Sequence, residues 1–394
     1  MRVQDISEPR YSPVEMIKAL VAFDTTSRDS NLDLIRFVEE YLNDLGVKST
    51  LMFNDEKSKA NLVATIGPAT SRGGVVLSGH SDVVPVDGQV WSSDPFKAVE
   101  RDGRLYGRGT CDMKGFLAVA LALVPEFQQC RLQSPVHIVL TYDEETDCSG
   151  ATRLMQALPE TGLAPRAVII GEPTEMRIAN AHKGQVSLET IVIGREAHSS
   201  ATHLGVNAID IAARLIAYLT TLAEEIKSLP HFLDGANPPF STISVGTING
   251  GQQINIVPAE CRFEWEIRAV PGHDADDIVT RFNDHANSLL TGMRDKFPGA
   301  AINTTITSAS APFVPQDDSP AETLVKSLAG TNEAGAVAFG TEAPRYQQAG
   351  MSVVVFGPGS IDQAHQPDEY IALDQVEACV DFMRKLMNRL GESK

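Results

Sequence analysis

Several polar residues fall at equivalent places along this chain, each just past a short apolar run. GGVVLSG leads into His80, with Asp82 two residues on, and PVHIVLTY leads into Asp143, Glu144 and Glu145. RAVIIG leads into Glu172, MSVVVFGPG is followed by His365, and Asp112 lies in RGTCDMKG ahead of a helical pattern. Imidazole and carboxylate together suit zinc or a similar divalent ion. Two histidines and three carboxylates exceed the needs of one tetrahedral ion. They suit two ions, with one carboxylate bridging centres ~3.5–4 Å apart. Asp82 is placed to accept the other ring N–H of His80 and so fix its tautomer. Glu144 and Glu145 are adjacent at a strand end and point opposite ways. One can therefore ligate while the other serves as a general base. Asp143 and Asp147 read equally well as capping or solvated carboxylates. His137, His231, His273 and His285 read as structural.

The elements that must position these groups follow from periodicity. Residues 13–25 and 32–45 have helical spacing, and VKSTLMF, NLVATIG, GGVVLSG, PVHIVLTY and RAVIIGE read as strands with helices near 115–127 and 151–158 between them. Runs such as VVL, HIVL and AVII are apolar without alternation, as strands buried on both faces are. The expected fold is α/β, a mainly parallel sheet covered by helices on both faces. In such sheets ligands bind at the carboxyl ends of the strands, which is where His80, Glu144, Glu145, Glu172 and His365 fall. After about residue 180 the strands alternate, and the order β-α-β-β-α-β is that of a ferredoxin-like α+β unit. From about 317 the first pattern returns, with a helix near 322–328, the strand MSVVVFG and a helix over 373–389. The expected division is 1–180 with 310–394 as the metal-binding domain, and 181–309 inserted into it.

Composition narrows the partners. Hydrophobic residues at 43% and charged residues at 21% of 394 exclude wholesale disorder. A net charge of −18, from 33 basic and 51 acidic residues, disfavours phosphate backbones and anionic lipid. The N-terminus MRVQDISEPRYS has no apolar core of a secretion signal, and the longest apolar stretch, Phe116 to Val124, is far short of the ~20 residues of a membrane span. The five cysteines are odd in number with no CxxC pairing, as free thiols in a reducing cytoplasm would be. The expectation is a soluble, cytoplasmic protein with no nucleic-acid or membrane partner.

SGHSDVVPVDG, GRGTCDMKG, the EE of TYDEETDCSG, IGEPT and IDQAHQPDEY, in that order over about residues 60 to 371, resemble the metallopeptidase family of acetylornithine deacetylase, succinyl-diaminopimelate desuccinylase and glutamate carboxypeptidase. The resemblance implies a zinc-peptidase-like catalytic domain holding two Zn2+ ions per chain, with Co2+ as a substitute. His80 and Glu172 would hold one ion and Glu145 and His365 the other, with Asp112 bridging. Glu144 would be general base and then acid, and Asp82 would orient His80. The inserted domain is similar to the family's dimerisation or lid domain, which implies a homodimer. GREAHSS puts His198 where the family's histidine stabilises the oxyanion in the partner subunit's site. INIVP puts Asn255, and WEIR puts Arg268, at substrate-contacting positions, with Arg268 on the substrate carboxylate. GTEA, with Gly340, Thr341 and Glu342, resembles a substrate-lining loop. Read from the strand alone, Arg268 pairs equally well with Glu264 or Glu266.

The implied reaction is water attack on the amide of an N-acyl amino acid. VVPVDGQVWSSDPF, RDGRLYGRGTCDMKGF and GEPTEMRIANAHKG look closest to the acetylornithine deacetylase branch, so the expected substrate is N2-acetyl-L-ornithine, a step of arginine biosynthesis. Alternatives are an N-acetyl-citrulline deacetylase, a desuccinylase, an aminoacylase, a dipeptidase, or a non-catalytic binding protein of the same fold. Two departures from the family pattern stand out: Asp147 where many relatives have Gly, and Gln366 where many have Lys.

Overall fold

The computed structural model describes residues 11–68, 73–161, 163–229 and 233–391, so His231 lies outside the described residues. Two compact units divide them, one within Met1–Asn180, Pro315–Gly335 and Thr341–Lys394, the other within Ala181–Val314 and Ala336–Gly340.

The first unit is built on an eight-stranded sheet. Its strands run in the order Ser49–Phe53, Ala60–Ile66, Val136–Thr141, Val75–His80, Ala167–Ile170, Val353–Val355, Ala179–His182 and Gly335–Val337. The four strands from Val136–Thr141 through Val353–Val355 are mutually parallel, and the pairings flanking them are antiparallel. Every residue of those four strands is buried, which explains their unbroken apolar character. The helix Lys114–Ala122 is buried along its whole length, so its sequence has no polar face. It packs against Pro13–Val21 and Leu373–Leu390, while Ser149–Thr161 packs against Ala343–Gln348, giving two groups of helices as a doubly covered sheet requires. Pro13–Val21 starts with a capping box, Ser12 Oγ accepting from the Glu15 amide and the Glu15 carboxylate from the Ser12 amide. A small sheet of Val99–Arg101, Arg104–Tyr106 and Tyr370–Ala372 completes the unit.

The second unit carries a four-stranded antiparallel sheet in the order Thr242–Gly250, Glu260–Ala269, Gly184–Ile193 and Ala301–Ser310, with helices Ala208–Lys227 and Ala275–Lys296. This is the ferredoxin-like order. Glu260–Ala269 alternates strictly, its inward Cys261, Phe263, Trp265 and Ile267 packing with Leu215, Leu219 and Phe282. All five cysteines are free thiols. Among the described residues no helix is long and apolar enough to cross a membrane.

Candidate metal centre

The parallel strands end at one edge of the sheet, and their end residues converge there. His80 closes its strand and is fully buried. Its Nε2 lies 3.0 Å from Asp112 Oδ1 and 3.8 Å from Glu172 Oε1. His365 Nε2 lies 3.1 Å from Glu145 Oε2 and 3.4 Å from Asp112 Oδ2. Two donor groups result, His80–Asp112–Glu172 and Asp112–Glu145–His365, and Asp112 belongs to both through different oxygens. The close approach at Glu172 needs Gly171 before it, because a Cβ there would sit 2.0 Å from the Phe116 ring.

The donor chemistry fits divalent cations. Glu172 Oε1 is buried with no hydrogen-bond partner, an acceptor left for something other than protein. Burial pushes the Glu172 carboxyl well up, as does the Asp112 charge beside it. Glu144 is also driven well up by burial, only partly offset by His80 and reinforced by Glu145 and Asp112. Burial alone would lower His80, but its hydrogen bond to Asp112 and the Glu172 charge hold it well above the usual imidazole value. Without a cation, then, the centre stores protons on acids that would ionise in water.

This has a consequence for metal removal. Burial, then the Asp112 charge, raises Glu145 to about 7, and the Asp112 and Glu145 hydrogen bonds raise His365 to about 10. A folded acid with a raised pKa keeps a proton the unfolded chain releases, so its contribution to stability falls as pH climbs from the unfolded value through about 7. A raised histidine stabilises fully below its unfolded value and loses that contribution as pH rises toward about 10. Both act in the same direction. Chelator-treated protein is expected to melt at progressively lower temperature from about pH 5 to about pH 8, with about 3 kcal/mol arising at Glu145. Adding a divalent cation should flatten the profile. A pH-independent melting temperature in the chelated protein would contradict this electrostatic picture.

The loop after Val136–Thr141 is held from below. Asp143 has φ 57° in the left-handed region and pairs with Lys59, which also donates to the Ser27 carbonyl. Asp82 meets the His80 ring through its main chain. The His80 Nδ1 partner is the Asp82 main-chain carbonyl at 2.9 Å, with the nearer carboxylate oxygen at 3.7 Å. The carboxylate instead accepts the amides of Glu144 and Glu145 at 3.2 and 3.4 Å and the Ser27 hydroxyl at 2.6 Å. Asp82 therefore orients the two glutamates as well as the ring. Asp147, the departure from the glycine pattern, accepts the Ser149 amide at the start of Ser149–Thr161, while the left-handed φ of 56° falls on Cys148.

Other expected residues lie elsewhere. Glu342, expected to line substrate, is fully buried and accepts a hydrogen bond from Thr141. Burial raises its carboxyl to about 7. Thr341 is 2% exposed and its hydroxyl accepts the Ala343 amide, whereas Gly340 is exposed and falls in the second unit. His198, Asn255 and Arg268 are also in the second unit. The Asn255 carbonyl accepts the Ser199 amide, so Asn255 and His198 are neighbours. His198 Nδ1 accepts the Ser200 amide, leaving the ring proton on Nε2. Arg268 Nε pairs with Glu266 at 3.2 Å. His137 is buried against Thr65, His273 bonds Ser241, and His285 stacks on Tyr218.

Residues 76–389 match Peptidase family M20/M25/M40. The chain belongs to that family. It is 33% identical over 383 residues to an acetylornithine deacetylase from Pasteurella multocida, covering 95% of this chain and 97% of that protein. Its fold is shared with the aminopeptidase PepT of Bacillus cereus, at 20% identity and TM-score 0.76 over 96% of this chain and 98% of that one. It is also shared with the Bacillus subtilis YXEP protein, described as a dinuclear metal binding peptidase of the M20 family, at 14% identity and TM-score 0.67 over 97% and 98%. Membership of this peptidase family places the chain among the hydrolases.

One group of residues bonded to the loops of Asp112 and His365 escaped the sequence reading. Gln89, Arg108 and Glu369 sit beside or within the motif blocks but carry no metal-donor pattern. The available signal was a cation in GRGTCDMKG and an anion in IDQAHQPDEY, both next to ligand candidates.

Proposed function

We propose that this chain is a two-metal amidohydrolase that removes the acetyl group from N2-acetyl-L-ornithine, with zinc as the ion and cobalt able to substitute. The observation that carries the reading is the Asp112 carboxylate, Oδ1 turned to His80 and Oδ2 to His365. His80 and Glu172 would hold one ion, Glu145 and His365 the other, and Asp112 both. Such a pair, when bound, polarises the scissile carbonyl and lowers the pKa of water toward ~7. The chain supplies the rest. Glu144, its amide fixed by Asp82, takes the proton of the attacking water on its carboxylate and returns it to the leaving nitrogen. Its burial, which favours the protonated form, suits a group that must hold that proton between the two transfers. His198 presents an N–H at Nε2, the donor needed for a developing oxyanion in a neighbouring subunit's site.

Arg268 would hold the substrate carboxylate. Its guanidinium is a third exposed, and its two Nη nitrogens have no protein partner among the described residues. A homodimer through the 181–314 unit is supported by Ile248 and Ile306, half exposed on the two edge strands of its sheet, and by the wholly exposed Ile254. Arg268→Met is expected to raise KM for N-acetyl-ornithine ~10–100-fold, the loss of a charge-assisted pair, with a smaller change in kcat. An unchanged KM would remove Arg268 from the substrate site.

The deciding experiment is hydrolysis by zinc-reconstituted protein of N-acetyl-ornithine, N-acetyl-citrulline, N-succinyl-diaminopimelate, N-acetyl-methionine and a dipeptide. Preference for N-acetyl-ornithine supports the full reading. Preference for another member keeps the mechanism and moves the substrate. Inactivity with no bound metal overturns the site.

A further inference from the structure

Gln89, Arg108 and Glu369 form a hydrogen-bonded network, with Arg108 and Glu369 buried and Gln89 half-buried, whose contacts reach the loops that carry Asp112 and His365. Arg108 and Glu369 are each 1% exposed and pair at 2.7 Å, Nη1 to Oε2, across 261 residues of chain. The other Glu369 oxygen accepts the amides of Cys111 and Asp112 at 2.9 and 3.1 Å. Arg108 Nη2 donates to Gln89 Oε1 at 2.7 Å, and Trp91 Nε1 donates to the same oxygen at 3.0 Å. With its oxygen taken twice, the Gln89 amide can only present its NH2 outward, and Nε2 donates to the His365 carbonyl at 2.9 Å. Arg108 Nη1 also reaches the Gln366 carbonyl, at 3.4 Å. His365 needs such a hold, because its φ of 62° is a left-handed conformation that a residue with a Cβ keeps only when its surroundings impose it.

A buried ion pair is a poor source of stability, because desolvation offsets its attraction, but it fixes geometry well. Here Glu369 meets one guanidinium and two amides, so its charge is spent on orientation. We infer that Glu369, Arg108 and Gln89 are positioning residues that set the distance between the two donor groups by tying the Asp112 backbone to the His365 backbone. The inference rests on the reading of Asp112 and His365 as metal ligands.

The contacts are unequal, and that makes the test selective. Gln89 touches only the His365 side, whereas Glu369 touches Asp112, which both groups share. Stepwise Co2+ titration of the metal-free full-length protein, followed by visible absorption and calorimetry, separates the two ions. Gln89→Ala is expected to bind one ion as the wild type does and the other ~10–100-fold more weakly, the usual effect of losing an outer partner of a ligand. Its cobalt spectrum should change only in the weakened step. Glu369→Gln is expected to weaken both steps. If Glu369→Gln does not fold, Gln89→Ala, a change at a half-buried side chain, carries the test alone. Wild-type affinity at both steps in Gln89→Ala overturns the inference, as does equal weakening of both with a lowered melting temperature. Fewer than two cobalt ions on the wild type would overturn the underlying metal reading and the inference with it.

Discussion

Asp112→Asn is expected to leave a protein that folds, binds one divalent ion in place of two, and turns over substrate too slowly to measure. The argument is one of oxygen count. Asp112 offers Oδ1 toward the His80 group and Oδ2 toward the His365 group, 3.0 and 3.4 Å from the two imidazoles. An asparagine keeps the shape but has one oxygen, and whichever way its amide turns, an NH2 faces one of the two groups. That group then has one His and one Glu, too few donors for a closed site, and a donor N–H points at the cation. Affinity for that ion should fall by more than ~100-fold, beyond what loss of an outer partner costs. The backbone amide of residue 112 still reaches Glu369, so the loop should keep its path. Elemental analysis of purified protein against catalytic rate checks both halves. Two ions retained in Asp112→Asn would show that the groups do not share this carboxylate.

That such a variant can be chosen from sequence at all follows from where the ligands lie. His80, Glu145 and Glu172 close or follow parallel strands whose unbroken apolar runs mark them as buried on both faces, and strand direction alone brings their ends to one edge. The ferredoxin-like unit was legible for the complementary reason, strict alternation in Glu260–Ala269. Shorter elements were not. Ala179–His182 and Gly335–Val337 have three or four residues and no period, and the six residues of Ala343–Gln348 are dominated by Pro, Arg and Gln. Contacts set by the path of a loop were also beyond reach. Whether His80 bonds the Asp82 carboxylate or its carbonyl depends on a turn of backbone two residues long. Glu342 accepts its hydrogen bond from Thr141, 201 residues away. The pairing of Arg108 with Glu369 is of the same kind: periodicity reports on neighbours, and these partners become neighbours only after folding.

The two adjacent glutamates should separate metal binding from proton transfer. Glu145 Oε2 lies 3.1 Å from His365 Nε2 within the second donor group, whereas Glu144 belongs to neither group. Glu144→Gln is therefore expected to retain two ions and lose ~10²–10⁴ in kcat, the range for a positioned general base. Substrate should still bind, so KM should change little. Glu145→Ala is expected to lose the second ion as well as activity, because Asp112 and His365 alone cannot hold it. The amides of both residues still reach Asp82, so neither change should move the loop. The contrast is read by metal content and kcat measured on the same preparations. Equal metal loss in both variants would mean that Glu144 is itself a ligand, and the proton carrier would have to be sought elsewhere. Full activity in Glu144→Gln would exclude it from proton transfer whatever the metal content. The separation has a structural cause: one carboxylate, Asp82, accepts both amides, and from that shared turn Glu145 joins the second donor group while Glu144 does not.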